Sequence, residues 1–452
     1  MAYDEELEDA MEMGEVIEDI MMDDEMDDMH PFHNPSEERK RNVDTVRTFL
    51  GKGKQTQIPV ILPRYYIDLL AWALQRHIKT DGWKVVKALG KYVPTPSYAN
   101  VNTDYDKCEN ILCRGCLLLL KKDSRVVATI DAEDPKAPAS LVVVSCRKKD
   151  ARKFAEGVES IAQGANLYGG KKLEFGGHIR FLSLTPKTWE DLILDPALKD
   201  EIEANTVGFL NRKEELAKYG IPPRRGVILV GEPGTGKTLI SKILMNRSPG
   251  ITCIMANGSG LGYGRYICEL YQLAEDLKPS IIFIEDIDLV GEKRGEGLFS
   301  LLSALDGVEE CREIVTVAST NFIEIIDKAL TERPSRFDRI IQLPPPSLEQ
   351  RRELIRSLAQ KIPMAENIQD YLARRTEHYT PAQVQEAAYS MVIEHGHGLD
   401  CDKPGVHEFN MTDVDGVLAK INRKNRELGF KKLGNNGNGN GFEVVARPGV
   451  RL

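Results

Sequence analysis

The chain has 452 residues, 42% of them hydrophobic and 29% charged, which is enough length for two or three domains with sizeable cores. Its net charge of −9 is unevenly placed: residues 1–30 hold fourteen Asp and Glu and no Lys or Arg, which leaves the rest of the chain at +5. The acidic start is unlike a signal or transit peptide, the apolar runs are too short to span a membrane, and eight dispersed cysteines make no disulfide framework. The expectation is a soluble, cytoplasmic protein with no membrane partner.

Residues 1–42 read as an acidic tail, with seven of the twelve methionines in its first thirty residues. Such composition describes a solvated segment, or one that docks on basic surface elsewhere. Residues 43–185 alternate helices and short strands. Residues 65–78 have helical spacing, with Tyr66, Leu69, Leu70, Ala73 and Leu74 on one side. Residues 116–120, 126–130 and 141–144 read as strands, the first two forming a hairpin around Lys122-Asp123-Ser124, and 149–162 as a helix. This α+β domain carries no catalytic motif and is expected to meet a protein substrate or partner. Within it Cys108, Cys113, Cys116 and Cys146 have the spacing of plant-type [2Fe–2S] ligands. The intervening Glu109-Asn110-Ile111-Leu112 is not the glycine- and serine-rich wrap such a cluster needs, so buried thiols are expected instead.

From residue 186 the pattern becomes helix and buried strand in alternation. Residues 227–230, 252–256, 281–284 and 314–318 have the apolar, β-branched character of buried parallel strands. The predicted class is α/β: the run Gly231-x4-Gly236-Lys237-Thr238 directly after the apolar stretch 227–230 marks a P-loop NTPase αβα core at 186–343, with a helical lid at 344–426 set off by Pro344-Pro345-Pro346. Residues 427–452 hold an Asn/Gly-rich linker and a C-terminal tail.

The strand at 227–230 feeds into Gly231-Glu232-Pro233-Gly234-Thr235-Gly236-Lys237-Thr238, and Leu239 continues into a helix. Strand, glycine loop and helix start together make this a phosphate-binding loop. Backbone N–H groups and the helix N-terminus face phosphate oxygens, Lys237 reaches the β- and γ-phosphates, and the Thr238 hydroxyl suits Mg²⁺. The expected ligands are ATP and Mg²⁺. The strand at 281–284 ends in Glu285-Asp286, one carboxylate for the metal side and one to orient the attacking water. Asn321 closes a further strand and is placed to bond that water or the γ-phosphate. Arg333-Pro334-Ser335-Arg336-Phe337-Asp338-Arg339 offers guanidinium groups suited to a neighbouring subunit's phosphate.

Taken in order, GEPGTGKT, IIFIEDID, LLSALDGV at 301–308, ASTN and RPSRFDR resemble the AAA ATPase family. Trp189-Glu190-Asp191-Leu192, Phe209-Leu210, Gly220-Ile221-Pro222 and Tyr379-Thr380-Pro381-Ala382 are similar to its lead-in and lid motifs. The resemblance implies a ring oligomer, usually a hexamer, that hydrolyses ATP to remodel a macromolecule. By position, Lys237 and Thr238 match its phosphate and metal residues, Asn321 its sensor, Arg336 and Arg339 its arginine fingers. Leu192 and Ile193 lie where adenine packs, and Ala382 faces the nucleotide from the lid. Glu285-Asp286 inverts the usual Asp-Glu order; this and LLSALDGV resemble the branch containing the mitochondrial respiratory complex III assembly ATPase, without that branch's membrane helix. Ser335 and Pro381 stand where glycine is usual. Asn257-Gly258-Ser259-Gly260-Leu261-Gly262-Tyr263-Gly264 takes the place of a pore loop, in which Leu261 or Tyr263 is expected to grip a threaded chain. Remodelling of a protein is the favoured use. A nucleic-acid-associated motor is the first alternative, to be marked by a basic, aromatic face near Arg64, Tyr65, Tyr66, Arg76 and Lys79; a slow, nucleotide-gated scaffold is the second.

Overall fold

A computed structural model describes residues 35–91, 95–164, 166–261, 264–291, 301, 313–321, 337–362, 364–395 and 409–427. The described residues fall into two compact units. One lies within Met1–Thr185, Arg212–Arg224 and Ser248–Thr316, the other within Pro186–Asn211, Arg225–Arg247 and Val317–Leu452.

The first unit opens with a six-stranded antiparallel sheet: β1 (Thr56–Leu62), β2 (Lys84–Leu89), β3 (Ser97–Asp104), β4 (Lys107–Lys121), β5 (Ser124–Asp131) and β6 (Ala139–Ser145). The order is β1-β6-β5-β4-β2, and β3 pairs the first half of β4 while β2 pairs the second. The expected hairpin is present, with Lys121 opposite Ser124 and Lys122 at φ +53° in the turn. From Cys116 to Leu119 consecutive residues of β4 are buried, so both faces are covered, and this fully apolar stretch is the part of the strand legible from sequence. Helix Pro35–Leu50 lays Val43, Val46 and Leu50 against Cys116, Leu118, Val127 and Val144. Helices Ile67–Thr80 and Lys148–Gly164 pack on each other so closely that a Cβ on Gly157 would stand 2.2 Å from His77 Cε1.

The remaining strands are β7 (Lys172–Phe175), β8 (Ile179–Phe181), β9 (Arg224–Val230), β10 (Thr252–Asn257), β11 (Ser280–Glu285), β12 (Ile314–Thr320) and β13 (Arg339–Gln342). In the first unit the order is β11-β10-β7-β8, with β12 starting beside β11. β10 and β11 are parallel, as are β10 and β7, with Cys253 opposite Lys172. Residues 172–181, read from the sequence with the N-terminal segment, therefore extend the sheet of the nucleotide-binding core. Helix Gly264–Asp276 crosses between β10 and β11, and Arg64 grips it through a two-pronged bond to Glu269 at 2.6 and 2.5 Å. Tyr66, expected on the apolar side of its helix, is buried, and so is Tyr65: Tyr65 meets Phe175 edge-on and Tyr66 stacks on Tyr168. Such ring-to-ring packing buries large apolar area that exposure would forfeit.

In the second unit β13 lies beside β9 and β12 ends on β9's other side. β13 and β9 are parallel, Arg339 opposite Val227 and Gln342 opposite Val230. Helix Lys237–Asn246 follows β9. Four lid helices, Leu348–Ala359, Glu366–Arg375, Pro381–His395 and Met411–Glu427, enclose a core around Ile355, Leu372, Val384, Met391 and Val414. This is the expected α/β core with a helical C-terminal part. No described helix is long and apolar enough to cross a membrane.

Candidate functional site: the phosphate loop

Residues 227–230 bury their side chains, so β9 holds the loop that follows it rigidly at its C-terminal end. Gly231 N–H donates to Thr320 O at 3.3 Å, fastening the loop to the tip of β12. Gly234 and Gly236 adopt φ of +86° and +102°, left-handed values that an L-residue reaches only at a cost of about 1–2 kcal/mol. Both are also hemmed in. A Cβ on Gly234 would lie 2.7 Å from Ala382 Cβ, and one on Gly236 would lie 2.8 Å from Leu192 Cδ1. Leu192 is buried and Ile193 half-buried, directly after the short 3₁₀ turn Trp189–Asp191. The Thr235 hydroxyl donates to Glu232 O at 2.9 Å and closes the inner turn. Pro233 is exposed and Leu239 half-buried at the helix start. Burial pushes the Glu232 carboxyl up, against the pull of His378 and Lys237.

Lys237 is buried, and its ammonium donates to Gly231 O at 2.7 Å, Glu232 O at 3.1 Å and Asn321 Oδ1 at 2.8 Å. Two predicted residues 84 positions apart are thereby joined in one cluster, because Asn321 follows β12 and Lys237 opens the helix after β9. The first N–H groups of that helix have no acceptor within it and point toward the loop, as anion binding requires. Thr238 is exposed in that first turn. The lid closes against the same loop: Ala382 N–H donates to Gly234 O at 3.2 Å. Thr380, part of the expected lid motif, acts here together with Gln383, which the sequence reading did not single out. Thr380 and Gln383 cap the helix reciprocally, Gln383 Oε1 accepting from Thr380 N–H at 2.9 Å and Thr380 Oγ1 from Gln383 N–H at 3.4 Å. The Thr-x-x-Gln spacing of a capping box is the signal that could have found Gln383. Pro381 in place of glycine causes no distortion, since it sits at the helix start, where its fixed φ and missing N–H are tolerated.

In the first unit β11 ends at Glu285, and Asp286 takes φ +50°. Asp286 O accepts from Leu289 N–H at 3.0 Å and sits where a Cβ on Gly258 would be only 2.1 Å away. Glu285 Oε1 is buried with no hydrogen-bond partner among the described residues. A buried carboxylate oxygen without a donor suits a hard cation of the Mg²⁺ kind. Leu261, expected to grip a threaded chain, is buried in the 3₁₀ turn Gly258–Leu261, because the turn folds inward on Asn257, whose side chain accepts from Ser259 N–H at 2.9 Å. Tyr263 and Arg336 lie outside the described residues, as does 302–308 of the LLSALDGV motif. Arg339 pairs with Glu201 at 2.9 Å and is half exposed. It stands opposite Val227, at the middle of β9.

Among the four spaced cysteines, Cys108 is exposed and Cys113 and Cys116 are buried. Burial pushes both buried thiols up to about 11, and Cys146 donates to Leu50 O at 3.6 Å. These are the environments of structural thiols.

Residues 227–345 match the ATPase family associated with various cellular activities, AAA. The chain is 36% identical over 240 residues to the proteasome-activating nucleotidase of Sulfurisphaera tokodaii, covering 48% of this chain and 58% of that one. It is 33% identical over 240 residues to that of Saccharolobus solfataricus, with the same shares. Over 284 residues it is 31% identical to that of Methanocella arvoryzae, covering 55% of this chain and 66% of the relative. The chain thus spans between 58% and 66% of the length of these relatives. Over residues 227–345 the chain is thus similar to the AAA ATPase family, the stretch that holds the strand, the glycine loop, Lys237 and Asn321.

Proposed function

We propose that this protein is an ATP hydrolase that couples nucleotide turnover to remodelling or unfolding of a protein partner in a homo-oligomeric ring, a hexamer by family resemblance. The observation that carries the reading is the three-acceptor cradle of the Lys237 ammonium, capped by the Ala382–Gly234 bond. In this reading the γ-phosphate oxygens displace the carbonyl and amide partners, and the Lys237 ammonium, still protonated, pairs with the triphosphate. Asn321, released, is in reach of the same phosphate. The loop N–H groups orient the β-phosphate, and Leu192 and Ile193 flank the base. Asp286 orients and polarises the attacking water. Thr238 and Glu285 would hold Mg²⁺, which supplies Lewis-acid polarisation of the phosphoryl oxygens. Arg336 and Arg339 act on the neighbouring subunit's phosphate, and the exposure of the Arg339 guanidinium supports that role. Because Ala382 bonds the loop directly, loss of the γ-phosphate alters the seat of the lid, which supplies the stroke.

Similarity to proteasome-activating nucleotidases supports a protein rather than a nucleic acid as the object of the work. Burial of Tyr65 and Tyr66 removes the aromatic face that the nucleic-acid reading called for. The order Glu285-Asp286 and the LLSALDGV motif favour kinship with the complex III assembly branch. The test is steady-state ATPase activity, alone and with unfolded protein or single-stranded DNA, with Asp286→Asn as control. Stimulation by unfolded protein and loss of turnover in the variant are expected. Stimulation by DNA alone would refute the protein-remodelling reading, and tight ATP binding without turnover would leave the scaffold.

A further inference from the structure

The cations of the N-terminal sheet gather at one of its ends. There Thr56 of β1 stands opposite Ser145 of β6, and Lys121 opposite Ser124. The Ser145 hydroxyl donates to Arg125 O at 2.7 Å, tying the end of β6 to the β4–β5 turn. The C-terminus of helix Pro35–Leu50 meets the same end, where Arg125 Nη1 donates to Phe49 O at 2.8 Å and Cys146 Sγ to Leu50 O. Lys52 and Lys54 precede β1, Lys122 and Arg125 flank the hairpin, and Lys84 starts β2 opposite Leu120; all are exposed. Directly after β6 runs Arg147-Lys148-Lys149-Asp150-Ala151-Arg152-Lys153, in which every cation is exposed. The carboxylates at this end are few. Asp81 is held by Lys121 at 2.7 Å, Asp150 lies 4.0 Å from Arg147, and Asp123 sits in the turn.

Self-repulsion among so many like charges is relieved by a polyanion. The densest run of acidic residues is in the same chain: residues 1–30, with fourteen carboxylates and no Lys or Arg. This segment precedes helix Pro35–Leu50, whose far end abuts the basic surface. At about 1.5 Å per residue the helix is roughly 24 Å long, whereas 34 residues can reach up to about 110 Å. We propose that the acidic segment 1–30 docks on the basic end of the N-terminal sheet, centred on Arg147–Lys153, and occupies it as an intramolecular polyanion. Single exposed ion pairs are weak, but tethering raises the local concentration of the segment to the millimolar range and lets many pairs act together. The docking is electrostatic and is therefore screened by salt.

The test is zero-length carbodiimide cross-linking of the full chain, which joins carboxylates to lysines in contact, followed by mass spectrometry. Cross-links from residues 1–30 are expected to concentrate on Lys52, Lys54, Lys148, Lys149 and Lys153. They should fall at least tenfold in 0.5 M NaCl, about a 4 Å screening length. The variant Lys148→Glu, Lys149→Glu, Arg152→Glu, Lys153→Glu should lose those to Lys52 and Lys54 as well. A second variant guards against misfolding: Asp23→Asn, Asp24→Asn, Glu25→Gln, Asp27→Asn, Asp28→Asn leaves the sheet untouched and should give the same loss for its remaining acids. Cross-links spread evenly over surface lysines, or unchanged by salt, would overturn the proposal. So would a thymidine oligonucleotide that shields these lysines in the wild-type chain while the segment gives no cross-links there, which would make the end a nucleic-acid surface. None of these readouts depends on ATP turnover.

Discussion

Gly234→Ala is the sharpest probe of how the lid is coupled to the phosphate loop. Two penalties arise from the structure. The left-handed backbone at φ +86° costs an alanine about 1–2 kcal/mol. The new Cβ would also lie 2.7 Å from Ala382 Cβ and 3.0 Å from Thr380 Oγ1, an overpacking worth about 1–3 kcal/mol. Only the second penalty is shared with the lid. Hydrogen exchange of the Ala382 amide, whose N–H is bonded to Gly234 O, reports lid seating directly in nucleotide-free protein. At about 1.4 kcal/mol per decade, exchange in Gly234→Ala should accelerate roughly 5- to 150-fold. Ala382→Gly removes the opposing methyl, so the double variant should recover most of that loss while keeping the backbone strain. The coupling between the two substitutions should then exceed about 0.5 kcal/mol in a double-mutant cycle. Exchange within twofold of wild type in Gly234→Ala, or no recovery in the double variant, would refute the contact as the link between lid and loop.

Further outcomes follow from the packing of the first unit. Gly157→Ala should lower its thermal midpoint by an amount corresponding to about 1–3 kcal/mol, since the methyl meets a His77 ring already held edge-on to Phe154 at 4.8 Å; His77→Ser should restore most of the loss, and an unshifted midpoint would contradict the close approach. Burial lowers the His77 pKa, opposed by Asp81 and reinforced by Lys121, so the unfolded chain takes up a proton near pH 6.5 that the folded chain refuses. Stability should therefore fall as pH drops below about 6.5, and His77→Gln should flatten that part of the urea-midpoint profile; equal slopes in both proteins would reject the assignment. Leu261→Ala should cost about 2–5 kcal/mol as a core truncation. A fully stable Leu261→Ala that lost only substrate stimulation of turnover would instead restore the gripping role. Arg64→Ala should destabilise by about 3–5 kcal/mol, because it strands a mostly buried Glu269 carboxylate; a change below 1 kcal/mol in chemical denaturation would show the pair to be dispensable.

Much of the nucleotide site is local in the chain, and that is why it was legible. A strand, six loop residues and a helix start are contiguous, so the glycines at 234 and 236, Lys237 and Thr238 could be placed from spacing alone. Asn321 was legible for a related reason, since it ends a buried strand of unmistakable composition. The lid contact was half legible: the motif at 379–382 pointed to the nucleotide, whereas the reciprocal Thr380–Gln383 cap emerged with the helix. Leu261 shows the limit. A glycine-rich stretch with one apolar residue reads as a mobile grip, but whether that residue turns outward depends on the neighbours it meets.

What the sequence determines by itself is therefore the set of chemical groups: a glycine loop with its lysine, a carboxylate pair, an amide at a strand end, and an acidic segment beside a basic remainder. Tertiary structure alone decides where those charges and rings stand. It moves residues 172–181 into the core sheet through pairing with β10, and it buries Tyr65 and Tyr66 against Phe175 and Tyr168. It also collects the cations of four separate segments at one sheet end. The physical reason is the same in each case. Strand pairing joins residues far apart in the chain, and no local pattern encodes which edge will be met.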